Sequence, residues 1–375
     1  MSAAAMTLDH PVTGEGITVD YLNALMANNG QTIRVASVRL VDARTYGQEM
    51  VSTAGRAILE VEYATGANAD ALPRRIVVKL ARGVDDIMGP FYGNEVAFYA
   101  RLRGELDIEA PATLGAHYDP VSHRLGLVLE DLTVRGAVFP NVLTPVSLQQ
   151  LRALLATLAR LHARFWNSPR FATDLIWMET HISGGVANLM NNLAPAYIQH
   201  EIDTQPFKTE FVGKLGTTGA ELLAGVQAVQ RHQSSLSQTV LHGDTHLGNT
   251  YLLPGSGPHG PVGGLLDWQL TVRGHHMHDI NYLITTALPI AERRAHEHDL
   301  LAFYLDRLAA EGVSDLPPFD DTFREYRRAL IWGVYIGWLT TPVVNYGWEI
   351  NVVNHLRLVT AFEDHGTAAL VDEVR

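Results

Sequence analysis

The sequence predicts an α+β fold with two lobes: an N-terminal antiparallel β-sheet lobe with one helix, then a larger, mainly helical C-terminal lobe. Three observations predict it. The chain has 375 residues, more than one compact core usually organises. Its first third contains short β-branched runs separated by Gly- or Pro-containing connections. Beyond Ser147 the apolar residues recur at helical spacing instead. The lobes are expected to join near Glu130–Leu132, with residues 1–130 forming the first and 131–375 the second.

In the first lobe, Val35–Val41, Arg56–Ala64 and Arg75–Ala81 read as strands. Phe91–Arg103 reads as the helix, with Phe91, Phe98 and Leu102 on one face. A turn at His117–Asp119–Pro120 leads into a further strand, Leu125–Leu129. In the second lobe Ser147 and Gln150 form a capping box. The helix it opens carries Leu148, Leu151, Leu155, Leu158, Leu161 and Phe165 and ends near Trp166. Helices are also expected over Ala220–Gln233, Ile280–Ala287, Ala291–Glu311 and Thr322–Leu339.

Composition narrows the function classes. An apolar fraction of 47% and a charged fraction of 18% describe an ordinary globular chain without repeats. A net charge of -12, with Lys and Arg scattered, argues against nucleic acid or an anionic membrane as the main partner. The absence of cysteine excludes disulfides, thiolate metal sites and thiol nucleophiles. Met1–Pro11 lacks a basic region and a long apolar core, so a cytoplasmic protein is expected. Ala329–Trp348 is free of charge, but Pro342, Asn345 and Thr340–Thr341 interrupt it, and a buried helix is expected rather than a membrane span.

The chemistry concentrates between Leu241 and Asp279, where LHGDTHLGN is followed by TYLL, a Gly/Pro-rich turn, GLLDWQ and HHMHD. Thr250–Leu253 and Gly264–Asp267 read as the strands of a hairpin. That pairing sets Asn249 beside Asp267, with Asp244 just upstream. Asn249 and Asp267 offer hard oxygen ligands suited to Mg²⁺ on phosphate oxygens. Asp244, five residues before Asn249, can accept a hydroxyl proton, which completes a phosphoryl-transfer pattern. A single Asp here would read as a turn residue; the complete set favours chemistry.

The first lobe provides an independent check. Lys79 lies inside the apolar strand RIVVKLA, and Glu95 falls on the apolar face of its helix. Buried charges are costly unless paired, so each supplies the partner the other lacks. A strand lysine held by a helix glutamate is what a site for ATP phosphates requires.

These residues resemble the aminoglycoside phosphotransferase and choline kinase superfamily, and most closely its ecdysteroid-kinase-like branch. HGDTHLGN, the DWQ at Asp267–Gln269, LVLEDL at Leu127–Leu132 and LARLHARFW at Leu158–Trp166 carry the resemblance, which spans about Tyr21 to Leu358. It implies a protein-kinase-like fold, ATP and Mg²⁺ as cofactors, and a small-molecule hydroxyl as acceptor. Asp244 would be the catalytic base, Asn249 and Asp267 the metal ligands, Lys79 the phosphate contact and Glu95 its ion-pair partner. Main-chain groups of Glu130 and Leu132 would hold the adenine. His242 would belong to the catalytic-loop scaffold, with Asp279 bracing that loop, and a nucleotide flap would lie near Gly47–Gly55 with Ser52 and Thr53 at its tip.

Two departures from protein kinases bear on the substrate. Gly243 stands where those enzymes carry an arginine, and few residues separate Asp267 from Asp279, too few for a segment that docks a polypeptide. Other readings stay open: a ligand-binding pseudokinase without catalysis, nucleotidyl transfer, or a metallohydrolase using His242, Asp244, His246, His275, His276 and His278. The acceptor is not legible. Trp177, Met178, Tyr197, Trp338, Tyr346 and Trp348 could line its pocket, with core positions favoured for most of them. Oligomeric state is not legible either.

Overall fold

The computed structural model describes residues 8–44, 54–65, 69–81, 87–255 and 260–375. The chain divides into two compact units. One comprises Met1–Leu106, Ala110–Ala137 and Val344–Tyr346; the other comprises Asp107–Glu109, Val138–Val343 and Gly347–Arg375.

The first unit is built on five antiparallel strands, β1 (Val35–Arg44), β2 (Ala54–Tyr63), β3 (Arg75–Ala81), β4 (Thr113–Asp119) and β5 (Arg124–Glu130). Their order in the sheet is β1-β2-β3-β5-β4. Strand side chains alternate between faces. Ile76, Val78 and Leu80 of β3 join Leu59 and Val61 of β2 in one buried cluster. Helix α1 (Val19–Asn28) covers that face with Leu22, Leu25 and Met26. Gly126 permits the approach, since a Cβ there would lie 2.0 Å from the Tyr21 hydroxyl. Lys79, between Val78 and Leu80, therefore projects from the opposite face, toward helix α2 (Gly89–Arg101) and its Glu95.

Two elements here depart from expectation. Helix α1 is additional; Thr18 caps it by accepting the Tyr21 amide. His117 and Asp119 belong to β4, and the turn is Pro120–His123. Asp119 reads as a turn residue because its carboxylate accepts the Val121 amide and the Ser122 hydroxyl, closing the hairpin from the strand end.

The second unit is mainly helical: α3 (Leu148–Arg164), α4 (Gly185–Asn188), α5 (Ala194–Thr204), α6 (Pro206–Lys214), α7 (Gly219–Gln233), α8 (Met277–Ala287), α9 (Ile290–Ala310), α10 (Phe319–Trp332), α11 (Val343–Tyr346), α12 (Trp348–Asp364) and α13 (Thr367–Asp372). The Ser147–Gln150 capping box opens α3 as expected. Helix α8 is buried along its whole length, and α10 packs against it. The expected helix Thr322–Leu339 is two pieces: α10 changes at Gly333 to π-helical bonding that runs to Trp338. Among the described residues no helix is long and apolar enough to cross a membrane.

Two short ladders interrupt the helices and carry the motif. Strand β6 (Thr239–Leu241) pairs with β9 (Val272–Gly274), and β7 (Thr250–Leu253) pairs with β8 (Val262–Leu265). The second ladder ends at Leu265, short of Asp267, because the backbone of Asp267 turns left-handed at φ 66° and leaves the extended region.

Candidate functional site

The paired ladders bring the two halves of the motif to one end. Thr250 is opposite Leu265, and the Leu266 amide continues the ladder by donating to Asn249 O at 3.0 Å. Asp267 follows directly. A left-handed backbone at a non-glycine residue costs of order 1–3 kcal/mol and gathers at functional sites. From the other side, β6 delivers the loop His242–His246, and a short 3-10 turn, Leu247–Asn249, closes it.

Asn249 is buried and donates from Nδ2 to the carbonyl and the carboxylate of Asp244, at 3.0 and 2.9 Å. That assignment leaves Oδ1 as the amide's acceptor end. Asp244 is half-buried, and its carboxyl is pushed up to about 8. Burial is the main cause, the charge of Asp267 comes next, and the Asn249 hydrogen bond works against both. Two carboxylates and an amide oxygen thus gather at this end of the hairpin, an oxygen-donor setting. A hard divalent cation fits that setting, with Asp267, Asn249 Oδ1 and the adjacent Asp244 as its oxygen environment.

The loop itself is held from several directions. His242 is buried neutral; Nε2 donates to Leu266 O at 2.9 Å while Nδ1 accepts the Asp244 amide at 3.2 Å, so one ring ties the two halves of the motif together. Asp279, at the start of α8, accepts the His242 amide on Oδ2 at 2.8 Å and the Gly243 amide on Oδ1 at 2.9 Å. Gly243 cannot carry a side chain: its φ is 85° and a Cβ would stand 2.0 Å from Leu270 O. The Asp-x-x-x-x-Asn spacing, the hairpin and the brace are thus found together in the second unit.

Several supporting groups escaped the sequence reading. Thr245 donates to Asp279 O at 2.6 Å, and His278 Nε2 donates to Gly243 O at 2.9 Å. Thr286 Oγ1 accepts the Leu247 amide at 3.1 Å. Arg357 on α12 is buried and donates to the carbonyls of Thr286 and Val142. Burial lowers its guanidinium to about 10. None of these has a local sequence signature, because each acts across elements distant in the chain.

In the first unit, Lys79 Nζ lies 2.7 Å from both carboxylate oxygens of Glu95. The Glu95 side chain is 2% exposed and that of Lys79 16%. Glu130 ends β5; its amide donates to Ala112 O, and the Ala112 amide returns to the Glu130 carboxylate rather than the carbonyl. Leu132 opens a 3-10 turn capped by Asp131, so its own N–H has no partner within that turn. Ser52 and Thr53 lie outside the described residues.

The described histidines do not assemble into a metal centre. Among the described residues no group of three His, Asp or Glu side chains is arranged to hold an ion. His242 and His278 spend a ring nitrogen on backbone carbonyls, and burial lowers His246 and His275 to about 4. Of the aromatic candidates for an acceptor pocket, Met178 and Trp338 are core, whereas Tyr197 and Trp348 are exposed.

Residues 88–313, more than half of the chain, match the ecdysteroid kinase-like family. Among solved structures, the Plasmodium vivax ethanolamine kinase shares 12% identity over 88% of this chain and 83% of its own, with a TM-score of 0.51. The choline kinase from Cryptosporidium parvum shares 11% over 90% of each chain, with a TM-score of 0.50. These likenesses show a kinase-like α+β fold. No curated protein matches the sequence. With its fold and more than half of its length accounted for in this way, the chain belongs to the ecdysteroid kinase-like family.

Proposed function

We propose that this chain is an ATP- and Mg²⁺-dependent phosphotransferase that moves the γ-phosphoryl group to a hydroxyl of a small molecule. The observation that carries the reading is that the hairpin brings Asp244, Asn249 and the left-handed Asp267 to one end, with Asp244 and Asp267 close enough for the charge of one to raise the carboxyl of the other. In this reading Asn249 and Asp267 hold the metal and Lys79, fixed by Glu95, orients the phosphates. Main-chain groups at Glu130 and Leu132 take the adenine, and Ser52 and Thr53 belong to the flap. Bound Mg²⁺ would supply charge neutralisation at the phosphate oxygens.

The remaining work falls to the chain's own groups. Asp244 receives the acceptor's hydroxyl proton as the new O–P bond forms and the bond to ADP breaks. Burial and the charge of Asp267 raise the proton affinity of this carboxylate in the metal-free chain, the direction that favours a proton acceptor. Asp279 and His242 keep the base aimed, since positioning supplies most of the rate in phosphoryl transfer. The short passage from Asp267 to Asp279, filled by a 3-10 turn and β9, supports a small acceptor rather than a polypeptide.

Thermal melts with and without Mg²⁺–ATP test the reading. Wild type at about a hundred times the dissociation constant should gain about 2.7 kcal/mol. Asp267→Ala should lose that shift. Asp244→Ala should keep it while release of ADP to an acceptor collapses. No shift at millimolar nucleotide, or identical behaviour of the two variants, would overturn the assignment.

A further inference from the structure

Helix α2 brings Glu95 to Lys79, yet its own start has no local fastening. The N-cap residue is Met88, which makes no side-chain hydrogen bond to the first turn, and that turn contains no acidic residue. Gly89 and Gly93 lie one turn apart on one face of the helix. Only proline is a poorer interior helix former than glycine. What holds this end in place must come from outside the helix.

It comes from the hairpin between β4 and β5. Tyr118, near the end of β4, and His123, the last residue of the turn, share a hydrogen bond of 2.8 Å between the phenol oxygen and Nδ1. Both side chains abut the helix. A Cβ on Gly89 would stand 2.4 Å from His123 Nδ1 and 2.9 Å from the Tyr118 hydroxyl. One on Gly93 would stand 3.1 Å from the Tyr118 ring. The two glycines therefore let α2 sit directly against the paired side chains. His123 reaches it from a left-handed backbone, φ 54°. A turn that needs such a backbone is most readily served by glycine or asparagine. The turn alone gives no reason for an imidazole; the contacts with Tyr118 and α2 do.

Glu95 lies six residues beyond Gly89, about 9 Å along the same helix. Its two carboxylate oxygens each lie 2.7 Å from Lys79 Nζ, a geometry that a small shift of the helix would break.

We infer that His123, paired with Tyr118, is a positioning residue that wedges the start of α2 and thereby sets Glu95 against Lys79. The consequence for ATP rests on the phosphotransferase reading; the consequence for the ion pair does not.

The test compares wild type with His123→Gly, Tyr118→Phe and Gly89→Ala in the full chain. Acetylation of Lys79 by limiting acetic anhydride is read by mass spectrometry, with the exposed Lys214 as reference. Amide exchange along α2, Tm and kcat/KM for ATP are measured alongside. His123→Gly keeps the backbone of the turn and removes the wedge, so its Tm should match or exceed that of wild type. Lys79 acetylation and exchange in the first two turns of α2 should both rise about fivefold, and kcat/KM should fall by as much. Gly89→Ala pushes the helix off the imidazole and should act in the same direction. Tyr118→Phe keeps the ring without the hydrogen bond and should fall between. Lys79 acetylation at the wild-type level in His123→Gly would overturn the inference even if exchange were faster, because the wedge would then not reach Glu95. A lower Tm with exchange accelerated across the whole five-stranded sheet would overturn it too, as a general loss of stability. If wild type turns over no ATP, the phosphotransferase reading fails, and acetylation and exchange still judge the role of His123.

Discussion

Asn249 turns the nitrogen end of its amide toward Asp244, reaching the backbone carbonyl and the side-chain carboxylate from a single Nδ2. The contact orients the carboxylate without neutralising it, and burial, with the charge of Asp267 second, pushes the Asp244 carboxyl up to about 8. An unfolded aspartate titrates near 3.9, so between about pH 4 and 8 the folded chain holds more protons than the unfolded one. Stability contributed at this position therefore falls as pH rises through that window. Asp244→Asn removes the titration, and in metal-free buffer its Tm advantage over wild type should widen from pH 5 to pH 8.5. Added Mg²⁺ should narrow it. An advantage that stays constant with pH would show that Asp244 titrates normally.

Asp267 should be a residue that the fold would do better without. Glycine adopts its left-handed backbone without the steric cost, so Asp267→Gly should gain about 1 kcal/mol in metal-free chemical denaturation. The same variant should lose the Mg²⁺–ATP melt shift. A loss of stability on this substitution would mean that the carboxylate is needed by the fold itself.

The Lys79–Glu95 pair should break asymmetrically. Lys79→Ala leaves the more deeply buried partner, Glu95, without its ammonium and should cost about 3 kcal/mol. Glu95→Ala leaves the more accessible lysine and should cost less. The double variant should cost less than the sum of the two, because the pair is one interaction. Urea unfolding of the three variants checks this; additive costs would show that the two side chains act separately.

Arg293 should matter more than a charged residue on a long helix ordinarily does. It is 1% exposed, donates to both oxygens of Glu297 at 3.0 and 2.9 Å, and also bonds Asp364. Arg293→Ala should destabilise by about 3–5 kcal/mol, measured by denaturant unfolding at pH 7. A change below 1 kcal/mol would place the cluster among ordinary surface pairs.

What the sequence made legible is what depends on local period and on a few close-spaced residues. Strand alternation located β2 and β3, the Ser147–Gln150 box located the start of α3, and the strand lysine could be matched to a glutamate on an apolar helix face because a buried charge demands a partner. The hairpin between Thr250 and Leu265 could be read because both strands flank one turn. Asp119 misled because one residue both ends a strand and caps the turn after it. Arg293 and Glu297 sit at ordinary i,i+4 spacing in a strongly charged run, and nothing local says that α12 and its following turn will cover them. The supports of the loop, Thr286 and Arg357, were invisible for the same reason.

The tie from Arg357 to Thr286 has a bearing on how the protein is made. The loop containing Asp244 donates its Leu247 amide to the Thr286 hydroxyl, and the carbonyl of Thr286 is in turn gripped by a guanidinium more than seventy positions later. A ribosome delivers residues in order, so every group proposed to touch nucleotide or acceptor emerges before the arginine that secures this corner. A chain interrupted by a premature stop ahead of α12 would carry the whole motif and still lack its last fastening.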